Sequence, residues 1–268
     1  LSPDADVEIS VATVASKLYH TGAIEERVRE VVGFGGGAPQ RLSVRIANDL
    51  VVVSLDSSGS PLYMRGWRDE SIDAPIRESL AAALLLWSGW DGKAPLVDPC
   101  CGSGTIAIEA AMWARRIAPG RDRGFALQEW PAARSVEWEK LLDAAAADER
   151  PLSASISASD VDADAVLLAT RNAERAGVAV ELRTIDVATR ANEPRGPKSG
   201  WVVSNPPYGN RIGGDLRAIY GAVGRLAGPP WHLAVVAAKG TPTSAFGRDW
   251  SESLLTRNGG IPVRFLKA

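Results

Sequence analysis

The sequence predicts an α/β protein, a doubly wound and mostly parallel sheet closed by a C-terminal antiparallel hairpin and preceded by a small α+β module. Three observations carry that expectation. From about residue 94 onward, short apolar runs alternate with segments of helical character, the order that builds parallel sheets. Leu96-Val97-Asp98 is followed by Gly102 and Gly104 and then by the helix-forming run Ile106 to Ala114, which reads as strand, glycine turn and helix. Near the C-terminus, Asn258-Gly259-Gly260 separates two β-rich runs, a strong hairpin signal.

The elements follow in order. The chain begins with Leu1, which suggests a fragment or a processed product. Residues 7–14 alternate as a strand does. Ile24, Val28, Val31 and Val32 recur at helical spacing between charges, and Gly33 with Gly35-Gly36-Gly37 stops that helix. Two β segments at 42–47 and 50–56 complete a module expected over 1–69, with the polar stretch Trp67 to Ser71 as its boundary. Pro75 is expected in the first turn of a helix running to Ser88-Gly89. Residues 118–153 read as an insertion with a short helix at 136–147.

Four βα-like repeats follow within a second domain expected over 70–268. Strands at 155–160, 178–185, 201–204 and 233–237 end in or near Asp160, Asp186 and Asn205, and a helix spans Asp164 to Ala176. Strands at 254–257 and 261–266 form the closing hairpin. Ligands of such sheets bind at the carboxyl ends of the strands.

With 268 residues, 46% hydrophobic and 23% charged, the chain has apolar material for one large core plus a smaller module. It contains neither a membrane-length apolar run nor a secretory signal pattern, so a cytoplasmic protein with no membrane partner is expected. The two cysteines, Cys100 and Cys101, are adjacent, which suits neither a disulfide framework nor a zinc site, and no metal is expected. A net charge of −2 and a pI of about 5.8 give no global sign of nucleic-acid binding. Local basic patches remain: Arg115, Arg116, Arg121 and Arg123, then Arg183, Arg190, Arg195, Lys198, Arg211, Arg217 and Arg225 in a loop-rich region. Solvated surface is the commoner explanation for both.

A G-x-G turn alone is a weak signal, and an ordinary tight βα connection competes with it. A phosphate-cradling loop would need a lysine before Thr105, and a nicotinamide fingerprint would need glycine near 107, where the chain has alanine. An acidic strand end before a glycine turn suits a cofactor that carries positive charge and no phosphate.

Ser204-Asn205-Pro206-Pro207-Tyr208 narrows the chemistry. Two prolines after a buried strand remove two N–H donors, so acceptors dominate that spot. The Asn205 amide oxygen and the Pro206 carbonyl can take hydrogen bonds from an exocyclic NH2, while Tyr208 can stack on the base that bears it. An amine so held withholds its lone pair from the ring and becomes nucleophilic without prior deprotonation. A plain Pro-Pro turn is the bland alternative, weakened by the glycine turn in the same sheet.

Together these motifs resemble the class I, Rossmann-like S-adenosylmethionine-dependent methyltransferases that modify exocyclic amines. More narrowly, the chain resembles the THUMP-containing RNA guanine-N2 methyltransferases. The likeness extends over Ser16 to Ile24, Leu55 to Gly59, Met64 to Arg68, Ala74 to Ala83 and both motifs. It implies methylation of guanine N2 in structured RNA (rRNA or tRNA), with S-adenosylmethionine as cofactor and Asn205, Pro206, Pro207 and Tyr208 around the target amine. It further implies that Asp98, Pro99, Cys100, Gly102, Gly104 and Thr105 form the cofactor turn. Asp160 would hold the ribose hydroxyls, Asp186 and Val187 would face the adenine, Arg77 would reach the cofactor carboxylate, and Val161 and Asn205 would also bind the cofactor. His20 and His232 receive no chemistry. The family's further N-terminal ferredoxin-like stretch has no counterpart here, so residues 1–69 are expected to be a partial THUMP-like module. Adenine-N6 DNA methyltransferases and glutamine methyltransferases share N-P-P-Y, and a non-catalytic RNA-binding subunit is the reading from another class.

Overall fold

A computed structural model describes residues 6–32, 39–68, 76–133, 135–193, 199–208 and 215–268. The chain divides into two compact units: residues 1–62 with 123–141, and residues 63–122 with 142–268. In place of the single cut expected near residue 69, the chain crosses between the units three times, after residues 62, 122 and 141, because part of the expected insertion folds with the first unit.

In the first unit, β1 (Asp6–Val14) pairs in parallel with β2 (Pro39–Ala47), which pairs antiparallel with β3 (Leu50–Leu55). Inward residues of β1 and β2 alternate, so Val7, Ile9, Leu42, Val44 and Ile46 form a small core against Ile24, Val28 and Val32 of α1 (Thr21–Val32). Residues 123–141 are tied in by polar contacts: Trp130 Nε1 donates to Gln40 Oε1 at 2.7 Å, and the Arg123 guanidinium donates to the carbonyls of Ser58 and Pro61. The Gly35-Gly36-Gly37 run lies outside the described residues.

The second unit holds a seven-stranded sheet, for which we use β4 (Leu96–Asp98), β5 (Ile156–Asp160), β6 (Glu181–Thr184), β7 (Trp201–Ser204), β8 (His232–Ala238), β9 (Glu252–Asn258) and β10 (Ile261–Lys267). Its order is β6-β5-β4-β7-β8-β10-β9, parallel from β6 to β8, with β10 antiparallel to both β8 and β9. The chain runs outward from β4 through β5 and β6, then returns to the other side of β4 as β7. The resulting switch point lies between β4 and β7, the place where ligands of such sheets bind.

Successive residues of each strand serve opposite faces. Leu96 and Val203 join one core with α2 (Glu78–Ser88) and α3 (Thr105–Ala114), while Val97 and Val202 join the other with α7 (Leu216–Leu226). Two helices complete the description, α4 (Trp138–Ala147) and α5 (Ala163–Arg175), with the single turn α6 (Val187–Arg190) after β6. Helix α2 starts at Glu78 behind an extended Arg77, later than expected from Pro75, itself outside the described residues. Strand β6 starts at Glu181 rather than 178. Helix α7 occupies part of the region read as loop-rich; Asp215 caps it by accepting from the N–H groups of Arg217 and Ala218. Arg195, Lys198 and Arg211 lie outside the described residues. Among the described residues no helix is long and apolar enough to cross a membrane.

Candidate active site

The glycine turn is built by backbone conformation and by bonds to the neighbouring strand. Gly102 and Gly104 have φ of 51° and 84°, the left-handed region that side chains resist. A Cβ on Gly104 would stand 3.0 Å from that of Ala169 on α5, so the turn also needs glycine for packing. The Gly102 N–H donates to Asp160 Oδ2 at 2.9 Å, the Cys101 N–H to the Ser159 carbonyl at 2.9 Å, and Asn172 Nδ2 to the Ser103 carbonyl at 3.1 Å. Asp160 Oδ1 accepts from the Asp162 N–H at 3.1 Å. Each carboxylate oxygen therefore fixes one backbone group and keeps a lone pair for a ligand.

Asp98 ends β4 at 1% exposure, and its Oδ1 accepts from Ser204 Oγ at 2.6 Å and from the Cys100 N–H at 3.3 Å. Burial raises its carboxyl from the ordinary 3.8 to about 7, with nearby Asp160 adding to the effect against the two hydrogen bonds. Burial beside Asp98 and Asp160 also pushes the Cys100 and Cys101 thiols well above their usual range. Both therefore stay neutral and are poor nucleophiles at neutral pH.

Across the switch point, Pro206 is buried and Asn205 half-buried after the last residue of β7. The Asn205 Oδ1 atom is shielded from solvent and has no hydrogen-bond partner among the described residues, an unusual state for a buried acceptor. The turn is held from outside the motif: Tyr220 Oη on α7 donates to the Pro207 carbonyl at 2.8 Å, and Asn258 Nδ2 donates to Tyr208 Oη at 3.1 Å.

The structure thus brings Asp98, Pro99, Cys100, Gly102, Gly104, Asp160 and Asn205 to one edge of the sheet. Val161 lies there too, 68% exposed. Asp186 follows β6 at the same edge, where its Oδ1 accepts from the Ala188 and Thr189 N–H groups. Val187 turns its side chain into the core, leaving its backbone to face a ligand. Thr105 is buried, and its hydroxyl takes a hydrogen bond from Arg68. Arg77 is exposed and stacks on Tyr63, its guanidinium 4.6 Å from the ring centroid.

Sequence reasoning assigned no part to Ser204, Tyr220, Asn258, Asn172 or Arg68. Arg68 also pairs with Glu78 at 2.8 Å, with both side chains largely buried. Ser204 and Arg68 lie inside the motifs that carry the resemblance, whereas the local signal at Asn258 marks a hairpin and not its partner, 50 positions away. Among the described residues no three His, Cys, Asp or Glu side chains gather as metal ligands.

Sheet order, glycine turn and acid-tipped edge define an α/β Rossmann-like methyltransferase fold. The chain belongs to the UPF0020 family (RMKL-like, methyltransferase domain), whose model matches residues 65–265. It is 40% identical over 223 residues to the ribosomal RNA large subunit methyltransferase K/L of Pseudoalteromonas atlantica, covering 81% of this chain and 30% of that protein. It is 32% identical over 272 aligned positions to "Putative RNA methyltransferase YpsC" of Bacillus subtilis, covering 98% of this chain and 68% of the relative. The chain therefore spans less than a third of the first curated relative. Among solved structures, SMU.472 complexed with SAH superposes with a TM-score of 0.85 at 29% identity, over 100% of this chain and 75% of that one.

Proposed function

We propose that this protein transfers a methyl group from S-adenosylmethionine to the exocyclic N2 of a guanine in structured RNA. S-adenosylmethionine is the cofactor; when bound it supplies an electrophilic methyl. The residues present suit it. Gly102 and Gly104 keep the turn free of side chains, Asp160 retains an acceptor for a ribose hydroxyl on each oxygen, and exposed Val161 and Asp186 with the Val187 backbone offer a surface for adenine. Arg77 is assigned to the carboxylate end, which requires it to leave Tyr63.

The observation that carries the amine assignment is Asn205 Oδ1, without a hydrogen-bond partner among the described residues, beside a doubly prolyl turn. Rotation of that half-buried amide presents the oxygen to an NH2 group, and the Pro206 carbonyl supplies a second acceptor. Tyr208, held by Asn258, stacks on the base. Neither oxygen is a base strong enough to deprotonate an aromatic amine, so the residues orient the lone pair; the N–C bond would form as the S–C bond of the cofactor breaks to a neutral thioether, and the proton would pass from the methylated nitrogen to solvent water. RNA as substrate class is supported by the names of the two relatives, a ribosomal RNA methyltransferase and a putative RNA methyltransferase. We assign the N-terminal module over 1–69 to RNA binding.

The test is nucleoside mass spectrometry of ribosomal and transfer RNA from cells lacking the gene, after incubation with the protein and methyl-labelled S-adenosylmethionine. Labelled N2-methylguanosine is expected, and inosine at the mapped position, which lacks the amine, should accept no label. Labelled N6-methyladenosine would move the assignment to adenine, and an unlabelled RNA pool would leave an RNA-binding protein without this activity.

A further inference from the structure

A second concavity opens at the same carboxyl edge, beyond the N-P-P-Y turn. It is a groove of about 800 Å³ between the end of β8 and the β9–β10 hairpin. Its walls carry Lys239, Arg257 and Arg264 and no acidic residue, in a chain whose net charge is −2. Register places the two arginines on one face: Arg257 lies opposite Pro262, and Arg264 opposite Leu255 and Ala237. Neither Lys239 nor Arg264 has an ion-pair or hydrogen-bond partner among the described residues, and Arg257 reaches only the Gly260 carbonyl at 3.4 Å. Leu255, 76% exposed, shares the arginines' face, paired with Arg264 and two residues before Arg257.

Scattered surface cations are ordinarily just solvated, but these three line one concavity with no acidic residue among its described lining. The hairpin that forms its wall also reaches the candidate catalytic turn, from the other face of the sheet: β9 ends at Asn258, whose amide holds Tyr208 Oη at 3.1 Å. A strand that delivers a base to Tyr208 must continue away from it, and its phosphates need cations and an open path.

We propose that this groove seats the phosphodiester backbone of the RNA next to the target nucleotide, with Lys239, Arg257 and Arg264 as its phosphate contacts. The inference rests on the RNA methyltransferase reading. The contacts are independent of sequence, so they set the strand's path and leave base selection to the N-P-P-Y turn and the N-terminal module.

The test compares the wild type with the triple variant K239Q/R257Q/R264Q, with K239R/R257K/R264K retaining the charge. Fluorescence anisotropy with a labelled oligouridylate across a salt series reads the contacts directly. Three lost contacts should make the plot of log affinity against log salt shallower by about 2 and weaken binding about 100-fold near 0.1 M salt. The charge-retaining variant should behave as wild type. S-adenosylhomocysteine affinity and melting temperature should stay unchanged in both, and the glutamine variant should raise KM for RNA while keeping kcat.

Wild-type affinity and slope in the glutamine variant, with methyl transfer intact, would overturn the groove and spare the methyltransferase reading. If that variant loses only polyglutamate binding, the groove belongs to an acidic polypeptide and the RNA proposal fails. Lost oligouridylate binding, in a protein whose wild type methylates no RNA, would keep the groove as an RNA contact and overturn the activity.

Discussion

Replacing Asp98 by asparagine should stabilise the protein increasingly as pH rises. In the fold its carboxyl titrates near 7, against 3.8 in the unfolded chain, because it is buried with only two hydrogen bonds. Between those values the unfolded chain has released the proton and the native state has not, so each rise in pH favours unfolding. Roughly 3 units at ~1.4 kcal/mol each make the effect about 4 kcal/mol, complete once pH exceeds the folded value. Asparagine keeps the acceptor for Ser204 and Cys100 and cannot ionise. Its NH2 lacks a partner, a cost of about 1–3 kcal/mol that does not change with pH. At ~2–4 °C per kcal/mol, the melting temperature of Asp98→Asn relative to wild type should climb by about 8–16 °C between pH 4 and pH 8. Differential scanning calorimetry of both proteins across that range measures it. A gap that stays constant with pH would refute the burial argument and mean that Asp98 is ionised in the fold throughout. A cofactor bringing positive charge to this edge should shrink the climb by favouring the carboxylate.

Asp160→Ala should weaken S-adenosylmethionine and S-adenosylhomocysteine alike by about 1.5–3 kcal/mol in calorimetry, through lost charge-assisted hydrogen bonds; full affinity in a folded variant would exclude Asp160 from the site. Gly104→Ala forces a side chain to φ 84° with its Cβ 3.0 Å from Ala169. Urea unfolding should show a loss of about 1–3 kcal/mol, and an unchanged midpoint would count against the close approach of α5. Arg68→Ala strands the buried Glu78 carboxylate and releases the Thr105 hydroxyl. It should destabilise by about 3–5 kcal/mol, part of which Glu78→Gln in the same chain restores. Tyr208→Ala should slow methyl transfer through the loss of ~1–3 kcal/mol of base stacking, while leaving cofactor affinity nearly unaltered.

The parts of the fold legible in the sequence are those that local chemistry dictates. The glycine turn announces itself because left-handed backbone and close packing both demand glycine. The hairpin does so because Asn258-Gly259-Gly260 links two runs that β10 and β9 realise in register. Helix α7 was harder to read: Leu216, Ile219, Tyr220, Val223 and Leu226 carry helical spacing, but glycines at 221 and 224 interrupt it. Gly224 is needed there because a Cβ would collide with the Phe246 carbonyl, a contact that no local pattern discloses. The placement of 123–141 depends on Trp130 finding Gln40 across 90 positions, information that periodicity does not contain.

The same distinction applies within the candidate site, and it says what the long-range contacts do. Local motifs supplied the groups at the strand ends, yet on their own the ends of β4 and β7 are short, with only two register pairs between them. The Ser204 hydroxyl closes that gap by bonding Asp98 directly, 106 positions away. It ties the last residue of β7 to the acid that precedes the glycine turn. Tyr220 fixes the Pro207 carbonyl from α7, and Asn258 fixes Tyr208 from the hairpin. The N-P-P-Y turn is thus held from three elements, β4, α7 and β9, none of which its own sequence predicts. Transfer between two bound molecules depends on holding both reacting groups in one geometry. Under the proposed transfer, those three contacts are positioning that the fold adds to the motifs.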